Sequence, residues 1–104
     1  MVEKSVEKAD YPMETLEIHE PDRIVLILHE KKMKILKSIL NEGKTIQQIK
    51  KTTGINPGTI KRHLDALKSE GLVFIESKKL NDYNILMKFY RAIAKKFEIS
   101  TEIP

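Results

Sequence analysis

The stretch that decides the fold spans residues 45–72 and reads TIQQIKKTTGINPGTIKRHLDALKSEGL. Its pattern predicts one helix before Gly54 and a second helix after it. Thr45, with Gln48 three residues later, matches a capping box and predicts the start of the first helix. Gly54 ends that helix, because glycine readily adopts the left-handed conformation found after a helix C-terminus. The core contacts predicted for this helix are Ile46 and Ile49.

A longer second helix is predicted over residues 57–70. Asn56 is its N-cap and Pro57 its first helical residue. Gly71 marks its end, and Leu72 can contact Leu67 as in a Schellman motif. Two short helices joined by a glycine turn predict a helix-turn-helix, whose second helix enters the DNA major groove in proteins that bind DNA. Its inward-facing residues are predicted to be Ile60, Leu64 and Leu67.

With that apolar stripe inside, Gly58, Thr59, Lys61 and Arg62 lie on the outer side of the first two turns. Groove-reading helices use these turns: arginine can hold guanine bidentately, and a threonine methyl can pack on thymine. The helix N-terminus itself can receive a phosphate. The pattern has a second interpretation, since any helical hairpin with a glycine turn produces it and a basic exposed face is often only solvated.

The residues after the motif predict a strand over Leu72–Glu76 and a polar turn over Ser77–Asn84. Leu86–Ile99 fits both a helical and a strand period, and periodicity alone slightly favours a helix. A strand there would complete a β-hairpin, or wing, with Lys78 and Lys79 at its tip. Lysines at a hairpin edge also prevent aggregation, which is the alternative explanation of these two. Tyr83 at the tip either contacts a nucleic-acid backbone or packs on the recognition helix.

Upstream of the motif, residues 15–19 alternate like a short strand. Residues 24–28 fit either a strand or, after the helix-start signal at Pro21, a buried helix. Lys31–Glu42 is predicted to be an amphipathic helix ended by Gly43. We expect residues 1–14 to be a flexible acidic tail and residues 15–100 to be a single domain.

Charge is distributed unevenly along this 104-residue chain of net charge +4. Residues 31–96 contain sixteen basic and five acidic side chains, a net charge of +11. A basic segment of this kind is where a polyanion would bind. The chain has no cysteine, and its longest apolar run is five residues. We therefore expect no disulfide, no thiolate metal site and no membrane span, and a cytoplasmic location.

The histidines His19, His29 and His63 lack the spacing of a helical metal site. The sequence has no phosphate-binding glycine loop, no nucleophile elbow and few candidates for paired carboxylates. We therefore predict no bound metal, no cofactor and no enzymatic activity.

The motif and its flanks resemble the ArsR-type winged-helix regulators, especially their archaeal subgroup. TIQQIKKTTGINPGTIKRHLDALKSEGLV resembles the family's helix-turn-helix, HEPDRIVLILHEKKMKIL its first two helices, and MKFYRAIAKKFEI its aromatic return strand. The resemblance implies a short helix over Pro21–Leu28, a second wing strand over Leu86–Ala94, and pairing of residues 97–99 with residues 16–18. It also implies a homodimer on a near-palindromic site. The cysteines of the family's metal sensors are absent.

These observations predict a mainly α fold with a small β part, a winged helix-turn-helix of three to four core helices plus a wing over residues 72–94. The predicted function is sequence-specific binding of double-stranded DNA by a homodimeric transcriptional regulator with no known effector. The alternative is a winged-helix protein-interaction module in a transcription or replication complex. The predicted DNA contacts are Thr45, Gln47, Asn56, Gly58, Thr59, Lys61, Arg62, Lys78, Lys79, Lys88 and Arg91.

Overall fold

The computed structural model describes residues 11–100. Four helices form the core, and four strands form two separate two-stranded sheets. This is the predicted winged helix-turn-helix. The elements in chain order are β1 (Met13–Ile18), α1 (Pro21–Leu28), α2 (Glu30–Ser38), α3 (Ile46–Thr53), α4 (Pro57–Ser69), β2 (Val73–Leu80), β3 (Leu86–Ala92) and β4 (Ala94–Ile99).

The start of α3 and the turn before α4 have the predicted geometry. The backbone N–H of Gln48 donates to Thr45 Oγ1 at 3.2 Å, and the Thr45 N–H donates to Gln48 Oε1 at 2.9 Å, which completes the capping box. Gly54 has a φ of +75° at the end of α3. Asn56 Oδ1 accepts from the N–H groups of Gly58 at 2.8 Å and Thr59 at 3.3 Å, so it caps α4.

The end of α4 is a complete Schellman motif. The Gly71 N–H donates to the carbonyl of Lys68 at 3.0 Å, and the Leu72 N–H donates to the carbonyl of Leu67 at 2.9 Å. Gly71 has a φ of +74°, and both leucines are fully buried. These bonds fix where the chain leaves the recognition helix and therefore where the wing begins.

The predicted end of α2 is wrong. The helix ends at Ser38 rather than at Glu42, and Gly43 does not have the left-handed conformation of a helix end. The cause is a tertiary contact: the carbonyl of the fully buried Ile39 accepts from the N–H of Ala92 at 3.0 Å. A carbonyl bonded to a strand is no longer available to continue the helix.

The wing is an antiparallel pair of β2 and β3, within the predicted range of residues 72–94, but its first strand is longer than the predicted Leu72–Glu76. β2 continues to Leu80, so Lys78 and Lys79 lie within the strand and not at the tip, contrary to the prediction. The tip is the turn after Leu80, where Asn81 Oδ1 accepts from the N–H groups of Tyr83 and Ile85. Residues 77–80 are mostly polar, and their pairing with residues 86–89 of β3 keeps them in a strand.

The region over Leu86–Ile99 is two strands, and the slight preference of its periodicity for a helix is wrong. β4 pairs in parallel with β1, in the register implied by the family resemblance, with residues 16–18 opposite residues 97–99. β1 begins at Met13, two residues inside the predicted tail; residues 1–10 of that tail lie outside the described residues. The short helix over Pro21–Leu28 is present as implied.

One hydrophobic core joins the helices to the first sheet and the base of the wing. Ile60, Leu64 and Leu67 of α4 are fully buried, as the stripe predicted, and Ile49 of α3 packs with them. α4 is therefore fixed by its inner face and presents its outer face to solvent. The largest fully buried side chains are Ile18, Ile35, Ile39, Ile49, Ile60, Leu64, Leu67 and Leu72.

Candidate nucleic-acid interface

The first two turns of α4 form an exposed polar surface. Gly58, Lys61 and Arg62 are exposed and Thr59 is half-buried. Asn56 is exposed too, but its side-chain oxygen already accepts from two backbone N–H groups of the first turn. A phosphate at this helix end would compete with Asn56 for those donors. The first turn therefore offers side chains rather than free backbone amides.

Lys61 is paired within the helix. Its Nζ donates to Asp65 Oδ2 at 2.7 Å, one turn further on. This hydrogen bond raises the pKa of Lys61 above its ordinary value, so the ammonium stays charged at neutral pH. Asp65 offsets much of that charge. Arg62 makes no ion pair among the described residues and is the available cation of the recognition surface.

The wing carries lysines on both of its faces. Lys78 of β2 lies directly opposite Lys88 of β3, and both side chains are exposed. Like charges at this cross-strand position repel each other, and an anion between them would relieve the repulsion. Lys79 is on the other face, with its Nζ 5.3 Å from the centroid of the Phe89 ring.

An open groove of about 520 Å³ separates α4 from the wing. The structure brings four of the predicted contacts to it, from α3 and its N-cap, from α4 and from β3. Tyr90 is buried beneath them, and burial raises the pKa of its hydroxyl, so it stays neutral. The cationic groups at the two sides of the groove are suited to a polyanion. The predicted contacts that line it are Thr45, Gln47, Lys61 and Lys88.

Arg91, a predicted DNA contact, is largely buried and paired within the wing. Its side chain is 13% exposed, and its Nη1 donates to Glu76 Oε2 at 2.8 Å. Glu76 sits at a register shift of β2, close to Gly43, where a Cβ would overlap its carboxylate. Arg91 and Glu76 therefore form an internal pair that joins the two wing strands. No local pattern in the sequence signals this pair, because its members are fifteen residues apart.

Two features of the surface were not found from the sequence. The rings of His29 and His63 lie 5.1 Å apart, at the junction of α2 and α4. The wing tip exposes apolar side chains among its polar residues. One of them is Tyr83, which is 83% exposed and therefore does not pack on the recognition helix. The other exposed apolar residues of the tip are Leu80, Ile85 and Leu86.

Over residues 11–100, no group of three or more histidine, aspartate or glutamate side chains is arranged to hold a metal ion. In the same part of the chain, no helix is long and apolar enough to cross a membrane.

Comparison with known proteins adds a family and a fold. Residues 29–74 match the sequence profile described as bacterial regulatory protein, arsR family. No curated protein sequence matches the chain significantly.

Two solved structures are similar in fold. One is the transcriptional repressor BigR from Xylella fastidiosa, with 18% identity and a TM-score of 0.54 over 68% of this chain and 64% of that one. The other is the homodimeric winged helix-turn-helix DNA-binding domain of Mb0332 from Mycobacterium bovis, a possible ArsR-family regulator. It has 22% identity and a TM-score of 0.53 over 91% of this chain and 78% of that one. The chain thus spans just under two thirds of the length of the BigR structure. Residues 29–74 therefore match the arsR-family model, and the chain as a whole has a winged-helix fold.

Proposed function

We propose that this protein is a transcriptional regulator that binds double-stranded DNA with sequence specificity. The recognition helix over residues 57–70 enters the major groove, and the wing over residues 72–94 contacts the backbone or the minor groove. The observation that carries the proposal is the exposed start of α4, bordered by a groove with cationic sides, within an arsR-type helix-turn-helix. The fold and the matching family are those of transcriptional regulators. We propose no catalytic step and no cofactor for this protein, and we propose that it acts in the cytoplasm.

The residues divide into base-reading and phosphate-binding groups. Arg62 is the candidate base reader, because it is exposed and can hold guanine O6 and N7 bidentately. Thr59 beside it can contact a thymine methyl. The remaining groups position the protein on phosphates and carry no sequence information themselves. They are Thr45, Gln47, Asn56, Lys61, Lys78, Lys79 and Lys88. Gly58 contributes by letting the helix approach DNA closely, whereas Arg91 acts only by stabilising the wing.

The active unit is proposed to be a homodimer. Mb0332, whose fold is similar, is described as homodimeric. In this chain Val25 and Leu28 of α1 are 70% and 55% exposed, which is unusual for large apolar side chains of one helix. Ile27 of the same helix lines an apolar groove of about 200 Å³ that includes Phe97 and Ile99 of β4. A second copy covering this surface would present two recognition helices about one DNA turn apart, near 34 Å.

The dimer is tested by sedimentation of the wild type and of Leu28→Glu. We expect the wild type to sediment as a dimer at micromolar concentration and the variant as a folded monomer. Glu14→Gln, at an exposed position of β1, is the control for the change of a surface side chain. A monomeric wild type with full affinity for DNA would contradict the dimer.

DNA binding is tested with fragments of the source genome over a salt series. We expect a subset of fragments to be retained at the highest salt, and the affinity to fall linearly on a log–log plot with a slope of about −0.9 per phosphate contacted. Arg62→Ala should lower affinity for the selected site by about 1–3 kcal/mol and reduce its preference over other DNA. The absence of any duplex binding at low salt would refute the proposal.

A second function is favoured by the apolar wing tip. Tyr83 and the three exposed apolar side chains around it are more typical of a protein contact than of a phosphate contact. The alternative is therefore a protein-interaction module in a transcription or replication complex. A stoichiometric protein partner that is lost in Tyr83→Ala, together with DNA binding that has no sequence preference, would favour this alternative over the regulator.

A further inference from the structure

A second basic surface lies on the flank of α4 that faces away from the wing. Residues two positions apart on a helix point about 200° apart, so His63 and Lys61 lie on opposite flanks of α4. Lys61 lines the groove beside the wing. His63 instead contacts His29, the N-cap of α2, with 5.1 Å between ring centroids. The N-terminal end of α2 is thereby held against the second turn of the recognition helix.

The groups that surround His63 are all basic. Lys31 and Lys32 act on it from the first turn of α2, His29 from the cap and Arg62 from α4 itself. Partial burial of the ring is the main cause that lowers the pKa of His63, and each of these charges lowers it further. We define His29, Lys31, Lys32 and His63 as the α2-flank cluster; Arg62, the candidate base reader, lies beside it.

Among the described residues, no carboxylate contributes to the shift in the pKa of His63. Glu30, the acidic residue nearest in sequence, lies 3.9 Å from Lys34 on the next turn of α2. On α4, the residues three and four positions from His63 are Thr59, Ile60, Ala66 and Leu67, and none of them is charged. Among residues 11–100, no member of the cluster forms an ion pair. Such a concentration of like charge disfavours protonation of His63 until an anion approaches.

We propose that the α2-flank cluster binds a backbone phosphate of DNA and that His63 takes up a proton as it does so. The inference rests on the proposed function, because it requires the first two turns of α4 to lie in the major groove. Each edge of that groove is a phosphate backbone. The wing lysines face one edge, and the cluster, at the second turn on the other flank, is positioned for the opposite edge. DNA affinity is then coupled to pH through His63.

The test is fluorescence anisotropy with a rhodamine-labelled duplex of arbitrary sequence, because backbone contacts do not depend on sequence. Affinity is measured at fixed salt from about pH 7.5 to about pH 5.5, the range around the ordinary histidine pKa. The wild type is compared with His63→Gln. His19→Gln is the matched control. His19 is an exposed histidine directly after β1, and its Nε2 lies 3.3 Å from Glu17 Oε1.

We expect the wild type and His19→Gln to gain about threefold to tenfold more affinity on acidification than His63→Gln, the range expected when one histidine takes up a proton on binding. An equal gain in His63→Gln would overturn the inference and leave the proposed function intact. If none of the three proteins binds the duplex at any pH, the proposed function itself fails.

An NMR titration of the His63 ring in the wild-type protein keeps the test independent of how the variant folds. The pKa of His63 should be higher in the presence of saturating duplex than in its absence. A pKa that is unchanged or lower in the complex would overturn the inference.

Discussion

Asn56 links the stability of the recognition helix to its function. Its Oδ1 accepts hydrogen bonds from the N–H groups of Gly58 and Thr59, at 2.8 and 3.3 Å. Both groups belong to the first turn of α4, where no intrahelical partner exists. In Asn56→Ala the two donors turn to water. Loss of an N-cap side chain costs about 1 kcal/mol, within a range of about 0.5–2.

A matched variant separates capping from DNA contact. Asn56→Asp keeps an oxygen in the same place and adds a negative charge at the positive end of the helix dipole, which stabilises a helix by about 0.3–1 kcal/mol. The same charge lies where DNA phosphates approach. We therefore expect Asn56→Asp to be at least as stable as the wild type and to bind DNA more weakly, whereas Asn56→Ala is less stable.

The assay is thermal unfolding followed by circular dichroism at fixed protein concentration, because a dimer's melting temperature depends on concentration. For a domain of this size, about 1 kcal/mol corresponds to a decrease in Tm of roughly 4–8 °C. Equal melting temperatures for the wild type and Asn56→Ala would refute the capping argument. Equal losses of stability in the alanine and aspartate variants would show that the side-chain oxygen is not what stabilises α4.

Three further perturbations test other parts of the account. Gly54→Ala should lower the free energy of unfolding by about 1 kcal/mol in urea titrations, because φ is +75° and nothing lies near the added methyl; unchanged stability would contradict the left-handed turn. Lys88→Gln should weaken binding to all duplexes alike and make the salt slope shallower by about one, whereas a loss confined to one sequence would contradict a phosphate contact. For His63, whose folded pKa lies below its unfolded value, the unfolded chain takes up the proton first as pH falls through about 6.5. Wild-type stability should therefore decrease with acidification through that pH, and His63→Gln should show a smaller decrease in chemical denaturation; equal decreases would exclude His63 as the source.

Local signals in the sequence predicted the helix-turn-helix well. The caps at Thr45 and Asn56, the glycines at 54 and 71 and the apolar stripe of α4 all act within a few residues of chain. The geometry of these caps and turns is therefore determined by the residues next to them in the sequence.

The failures have tertiary causes. α2 ends early because Ile39 bonds to Ala92, more than fifty residues away, and no local signal marks that contact. Leu86–Ile99 is strand because β2 and β1 supply partners, although its own periodicity slightly favours a helix. Here the family resemblance gave the right answer where the pattern did not.

In the candidate site, too, local features could be predicted from the sequence and tertiary contacts could not. Exposure of Arg62 and Lys61 follows from the helical period, so the sequence was sufficient to predict it. The engagement of Arg91 with Glu76 and the contact between His29 and His63 depend on how distant elements pack. Sequence spacing carries no information about either pair, and each changes what the residue can do.

The central claim is that the outer face of α4 reads DNA sequence. The most direct measurement is selection of bound sites from random duplex DNA by the wild type and by Arg62→Ala in parallel. The account predicts a near-palindromic consensus for the wild type, with half-sites about one helical turn apart, and loss of preference at one base pair of each half-site in the variant. A wild-type pool with no enriched sequence, or the same consensus from both proteins, would contradict it.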